Sequence, residues 1–168
     1  MKEQRIKIVC VGGTFDRLHK GHEALLLKAF EVGERVVIGV SSDVFVESMR
    51  KKHRVQSYRE RVEEIRRFLE KKGLVDRAVI VPLDDPYGPA VTDSQMGGIV
   101  VSEETAPRIK EISEIREKRG MKPLEAFSVD MVLAEDGERI SSTRIRRGEI
   151  DREGLVTTKK CRGKEREE

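Results

Sequence analysis

A chain of 168 residues fits one compact domain and is long enough to bury a core without disulfides or a structural metal. Charged residues make up 39% of it, yet 34 Lys+Arg nearly balance 31 Asp+Glu; a net charge of +3 with 4% aromatics and no Trp fits an ion-paired surface and argues against a nucleic-acid partner. No apolar run approaches the ~20 residues of a membrane span, and the start MKEQRIK lacks the apolar segment of a signal peptide, so a cytoplasmic protein off the membrane is expected.

The first element is the run IKIVCVGG, Ile6 to Gly13, which suits a strand buried on both faces with Cys10 as a small core residue. HEALLLKAFEVG follows with helical apolar spacing and ends near Gly33. RVVIGVSS, Arg35 to Ser42, is a second strand. YRERVEEIRRFLEKKG places Val62, Ile65, Phe68 and Leu69 on one helical stripe before Gly73. RAVIVPL, Arg77 to Leu83, and GGIVVS, Gly97 to Ser102, are the third and fourth strands, and a helix is expected from about Pro107 to Lys118. EAFSVDMVL, Glu125 to Leu133, has the length and composition of a fifth strand. Residues 1–156 form the predicted domain. The charged remainder, 157–168, which contains Cys161, has no apolar periodicity and is left outside the fold as a mobile tail.

The order β-α-β-α-β-β-α-β predicts an α/β fold: a doubly wound, mostly parallel five-stranded sheet with helices on both faces. Such sheets bind ligands beyond the carboxyl ends of their strands. The loops to read are therefore Gly12 to Lys20, Ser41 to Lys52, Leu83 to Asp93, Ser102 to Thr105 and the segment around Ile140 to Arg146.

In the first loop, GGTFDRLHKGH, Gly12 and Gly13 permit a sharp turn, and Gly21 lets a ligand approach the start of the next helix. The backbone N–H groups there are expected to form an anion site, with Thr14 adding a hydroxyl and His19 and His22 pointing at a phosphate. This spacing is neither the P-loop pattern nor the dinucleotide glycine pattern. Imidazoles at this position can donate hydrogen bonds to charge growing on a phosphoryl group, and phosphoryl transfer asks mainly for positioning and electrostatic stabilisation.

GGTFDRLHKGH resembles the signature of the nucleotidylyltransferase superfamily, whose HxGH motif is His19-Lys20-Gly21-His22 here. The second superfamily pattern, ISSTxxR, is matched by Ile140, Ser141, Ser142 and Thr143 with the arginines that follow. PLDDPYGPAVTD, VVSEET and the YRERVEEIRRFL helix resemble the archaeal and eukaryotic branch of phosphopantetheine adenylyltransferase, and the resemblance runs from about Ile6 to Ile150. It implies a Rossmann-like enzyme that transfers the adenylyl group of ATP, with Mg²⁺, to 4′-phosphopantetheine, giving dephospho-coenzyme A and pyrophosphate.

The resemblance also implies roles. His22 would stabilise the α-phosphate, His19 would hold the β or γ phosphate, and Thr14 would orient the acceptor phosphate. A lysine after the second strand would bridge the reacting phosphates, and Lys51 or Lys52 is available, with Lys52 preferred. ATP would also meet Gly12, Gly13, Gly21, Ser141, Ser142, Thr143 and Arg144, with Arg146 and Arg147 as alternatives to Arg144. Tyr87 and Asp93, presented by a turn stiffened by Pro86, Gly88 and Pro89, together with Ser102 and Glu103, are the remaining acceptor candidates.

The mechanism expected is direct in-line attack with no covalent intermediate. Mg²⁺ would arrive with ATP, without a dedicated metal cage in the chain. Rival readings are transfer to flavin mononucleotide, nicotinamide mononucleotide or glycerol 3-phosphate, and a nucleotide-binding module without turnover. The charged helices leave oligomeric state open, with a monomer slightly favoured.

Overall fold

The structure, a computed structural model, describes residues 4–50 and 53–157. Five strands form one sheet: β1 (Ile6–Gly13), β2 (Gly33–Ser41), β3 (Ala78–Leu83), β4 (Gly98–Val101) and β5 (Glu125–Ser128). Their spatial order is β3-β2-β1-β4-β5, and every pairing is parallel. The helices are α1 (Lys20–Val32), α2 (Asp43–Ser48), α3 (Tyr58–Lys71), α4 (Pro89–Thr92), α5 (Arg108–Lys118) and α6 (Ser142–Arg146). No helix among the described residues is long and apolar enough to cross a membrane.

Alternation along the strands divides the core in two, because successive side chains of a strand point to opposite faces. Val9, Val11, Val36, Ile38 and Val40 pack with Leu26, Phe30, Ile65 and Leu69 of α1 and α3. Cys10, Ile99 and Val101 face the other way, onto Ala90, Val91 and Ile112 of α4 and α5. Burial there pushes the Cys10 thiol up to about 12. A third, smaller cluster of Ala134, Ile140 and Ile150 anchors the segment after β5.

The chain leaves β1 toward β2 on one side, and after β3 it crosses to the other side of β1 to begin β4. The cleft above β1 and β4 is thus the point where connections diverge, as the predicted fold requires. Pro82 falls in β3, an edge strand, where its missing N–H is tolerated.

Some boundaries differ from expectation. The fifth strand ends at Ser128, not Leu133, because β4 offers only Gly98–Val101 to pair with and Val129 N–H makes the last bond, to Val101 O. β2 begins two residues early, since its register with β1 runs back to Gly33 opposite Ile6. The short helices α2, α4 and α6 were not expected; at four to six residues they carry no readable period. Of the proposed tail, Thr157 is described, its N–H donating to Glu149 O; residues 158–168 lie outside the described residues.

Candidate active site

Two cavities open at the carboxyl end of the sheet and share a wall. One, of about 280 Å³, is lined by Thr14, His19, His22, Ser142, Thr143 and Arg146, with Gly12, Gly13, Gly21 and Ser141 also on its surface. The other, of about 250 Å³, is lined by Phe45, Met49, Leu83, Tyr87, Arg108 and Ile112 among others. Gly12, Gly13, Thr14, Glu104 and Thr105 border both. The crest between the cavities is therefore built by the end of β1 with Thr14 and by Glu104 and Thr105 after β4; the Thr105 hydroxyl accepts from Ser102 N–H at 3.0 Å, and the hydroxyl on the β1 side is that of Thr14.

The loop from β1 into α1 is tightly turned. Phe15 and Arg17 both hold left-handed backbone, with φ of 56° and 51°, which costs of order 1–3 kcal/mol for each non-glycine residue. The fold compensates: Phe15 is 1% exposed with its ring 5.4 Å from that of His22, and Arg17 N–H donates to Gln56 Oε1 at 2.8 Å.

His19 caps α1. Its Nδ1 accepts from Gly21 N–H at 3.0 Å and His22 N–H at 3.4 Å, while His22 Nδ1 accepts from His19 N–H at 3.2 Å. The rings stack with centroids 3.7 Å apart. An Nδ1 that accepts a hydrogen bond carries no proton, so each neutral ring holds its proton on Nε2, the atom left for a ligand. Burial, aided by the positive charges of Arg139 and Arg152, lowers the His19 pKa to about 4. Burial first, then His19 and Arg152, holds His22 well below its usual value.

This geometry corrects one expectation. The first-turn N–H groups of α1 are not available to an anion: Lys20 N–H donates to Arg152 O, Gly21 and His22 to His19 Nδ1, and Glu23 to His19 O. The donors offered to a ligand are the imidazoles themselves.

From the distant ISST segment, Ser141 caps α6 by accepting from Arg144 N–H at 3.2 Å. Ser142 Oγ donates to Asp16 O at 2.6 Å, joining α6 to the first loop. Arg146 spans the same junction, with Nη1 3.3 Å from Asp16 Oδ2 and Nη2 donating to Thr143 Oγ1 at 2.9 Å. Arg144 does not reach the cavity. It is 11% exposed and bonded to Asp136, to Glu149 at 3.0 Å and to Arg139 O at 3.0 Å. The arginine on the cavity wall is Arg146, the third residue after Thr143, and the spacing of ISSTxxR itself counts to it.

Other candidates are also placed differently. Tyr87 lines the second cavity, its hydroxyl donating to Glu111 Oε2 at 2.7 Å. Asp93 borders neither cavity; its carboxylate accepts from Gln95 N–H and its carbonyl from Arg116. Ser102 and Glu103 line the first cavity, with the histidines, and not the second. Lys51 and Lys52 lie outside the described residues. Residues that the sequence reading passed over are Asp16, His53 and Arg139 around the first cavity and Arg108 in the second. Asp16 is 5% exposed and accepts from Gln56 N–H as well as from Arg146. A charged residue inside the glycine-rich loop was the available signal.

Residues 10–148 match the family model described as cytidylyltransferase-like. The chain is 53% identical over 147 residues to a phosphopantetheine adenylyltransferase of Methanopyrus kandleri, covering 88% of this chain and 92% of that one. It is 47% identical over 161 residues to a phosphopantetheine adenylyltransferase of Methanothermobacter thermautotrophicus, covering 96% and 95%. Among solved structures, a protein of unknown function from Archaeoglobus fulgidus superposes with a TM-score of 0.65 at 31% identity, over 79% of this chain and 98% of that one. With motif, sheet order and paired cavities in agreement, the chain belongs to the cytidylyltransferase-like family and, within it, to the phosphopantetheine adenylyltransferases.

Proposed function

We propose that this protein makes dephospho-coenzyme A, by transferring the adenylyl group of ATP to 4′-phosphopantetheine with release of pyrophosphate. The observation that carries the reading is the pair of cavities meeting at Thr14, one lined by imidazoles, hydroxyls and Arg146, the other by apolar side chains with Tyr87 and Arg108. A polyanion suits the first and a long, weakly polar arm suits the second. The relatives from Methanopyrus kandleri and Methanothermobacter thermautotrophicus, both phosphopantetheine adenylyltransferases, support coenzyme A synthesis as the setting.

In this reading the triphosphate lies in the first cavity and the acceptor arm in the second, so that the acceptor phosphate meets the α-phosphorus beside Thr14. An acceptor oxygen forms the new P–O bond as the bond to the β-phosphate breaks, and pyrophosphate leaves. The acceptor phosphate is already ionised at neutral pH, so no general base is required. His22 Nε2–H and His19 Nε2–H donate to phosphate oxygens, and Arg146 with the Thr143 hydroxyl holds the leaving pyrophosphate, while Ser142, its proton given to Asp16 O, anchors α6 beside them. Being neutral and pre-oriented by their Nδ1 bonds, the imidazoles stabilise growing charge without reorganising.

The donor set suits phosphate oxygens, and the carboxylate of Asp16 is committed to Gln56 and Arg146. Mg²⁺ brought by the nucleotide would accordingly be held by phosphate oxygens and water, neutralising charge on them. Lys51 or Lys52 remains the proposed bridge between the two phosphates.

The test is pyrophosphate release by the purified protein with MgATP, comparing 4′-phosphopantetheine with nicotinamide mononucleotide and flavin mononucleotide, and CTP with glycerol 3-phosphate. Turnover with 4′-phosphopantetheine alone is expected. Turnover only with another acceptor would overturn the substrate assignment while leaving the transfer chemistry, and none with any would favour a binding module.

A further inference from the structure

Arg61 lies on the stripe of α3 that faces the sheet, one turn before Ile65, and its side chain is wholly buried. Its guanidinium gathers three separate segments. Nη1 donates to Thr14 O at 2.9 Å and to Ser41 O at 2.7 Å, Nε donates to Gln56 O at 2.9 Å, and Nη2 reaches Asp43 Oδ1 at 3.2 Å. Thr14 is on the crest between the cavities, Ser41 ends β2, and Asp43 opens α2, whose Phe45 lines the second cavity. Gln56 in turn donates its N–H to Asp16, the partner of Arg146.

The other fully buried arginine among the described residues is an instructive contrast. Arg116 of α5 binds Lys122 O, Ala90 O, Asp93 O and Met96 O, all in connections that lead into the amino ends of β4 and β5. Its bonds tie α5 to α4 and to the connections before β4 and β5; one ends on Ala90, in the wall of the second cavity, and none on Thr14 or the loop from β1. Those of Arg61 converge on the edge where β1 and β2 end, and one of them ends on Thr14, whose hydroxyl lies on the β1 side of the crest.

We propose that Arg61 is a positioning residue for adenylyl transfer: by holding the Thr14 carbonyl against the end of β2, it fixes where the Thr14 hydroxyl meets the two reacting phosphates. The role rests on the transfer reading above. A planar fork with several fixed donors can hold Thr14 O, Ser41 O and Gln56 O at once, and a lysine ammonium on a flexible stem cannot reproduce that geometry. Misplacing a group by about 1 Å costs on the order of 100-fold in rate when positioning carries the catalysis.

The deciding experiment is a double-mutant cycle on turnover with MgATP and 4′-phosphopantetheine, using Arg61→Lys, Thr14→Val and the pair, with melting temperature recorded for each. Arg61→Lys is expected to lower kcat about 10- to 100-fold with both KM values within about threefold. In the Thr14→Val background the same change is expected to lower kcat less than about threefold, since the group it positions is gone. Independent, multiplying losses would assign Arg61 to stability alone and overturn the proposal, as would a Thr14→Val variant of full activity. Should Arg61→Lys not fold, Asp43→Ala decides by the same cycle, because Asp43 is 59% exposed and its removal frees one arm of the guanidinium without emptying the core. A wild-type protein inactive with every acceptor would overturn the transfer reading and this role together; an active wild type with additive losses overturns this role only.

Discussion

His19 and His22 fix each other through the backbone, each ring nitrogen Nδ1 accepting the other residue's N–H, at 3.2 and 3.4 Å. Protonating either ring would destroy one half of that reciprocal cap, which adds to the burial that already keeps both neutral.

A pH dependence of stability follows. Unfolded histidine takes up a proton near pH 6.5, whereas folded His19 refuses it until about pH 4. The unfolded state therefore binds more protons in that window, and stability falls as pH drops from 6.5 to 4, by roughly 3 kcal/mol for His19 if the whole shift is expressed. Urea unfolding at pH 7 and pH 4.5 should show a smaller acid loss in His19→Asn, which retains a capping side chain, than in the wild type. Turnover should show no inflection near pH 6.5 from either ring. An inflection there abolished by His22→Gln would mean that the imidazolium takes part.

His22→Ala should lower kcat by about 100- to 1000-fold while raising the dissociation constant for ATP far less, because in the proposed mechanism its contact strengthens as charge grows on the α-phosphate. Stopped-flow turnover with equilibrium ATP titration separates the two. Equal losses would assign His22 to ground-state binding.

The arginines of the RIRR cluster should differ in kinetics. Arg146→Ala is expected to lower kcat/KM for ATP about 10- to 100-fold, and to lower stability as well, because it takes the guanidinium from the buried Asp16 carboxylate. Arg144→Ala, which takes the guanidinium from Asp136 and Glu149, should lower stability by about 1 kcal/mol and leave the kinetics of the folded fraction close to wild type. The reverse pattern would return the phosphate contact to Arg144.

Gly21→Ala is a minimal probe of the cap. A Cβ at this position would lie 2.9 Å from His19 Cε1 and 3.1 Å from its Nδ1, so the imidazole must turn away. Alanine favours the helix by about 1 kcal/mol, which partly offsets the weakened cap. Melting temperature should thus move by only a few degrees, while turnover falls at least about tenfold. Wild-type turnover in this variant would show that the His19 ring orientation is not critical.

The sheet and its helices were legible because buried parallel strands read as β-branched runs, and α1, α3 and α5 are long enough to show a period. The site was legible where a motif concentrates several groups in a few residues, as from Gly12 to His22. It was illegible where function depends on partners distant in sequence. Nothing local shows that the Lys20 N–H, one of the four donors lost to the expected anion site, is taken by Arg152 O. Arg144 and Arg146 differ in side-chain direction on a five-residue helix, and that difference arises from Asp136 on one side and Asp16 on the other. Arg61 did leave a trace: a charged residue in phase with Ile65, Phe68 and Leu69, where the stripe calls for an apolar one.

The bond from Ser142 Oγ to Asp16 O and that from Lys20 N–H to Arg152 O join opposite ends of the chain. During synthesis, β1, α1, β2 and α3 can pair and pack as soon as they emerge, because their contacts are near in sequence. The first cavity cannot close its wall until residues 141–152 have left the ribosome. In the proposed reading a nascent chain is therefore unable to hold the triphosphate through most of its elongation, and it becomes competent only once the segment that carries Ser142 and Arg152 is available to complete the fold.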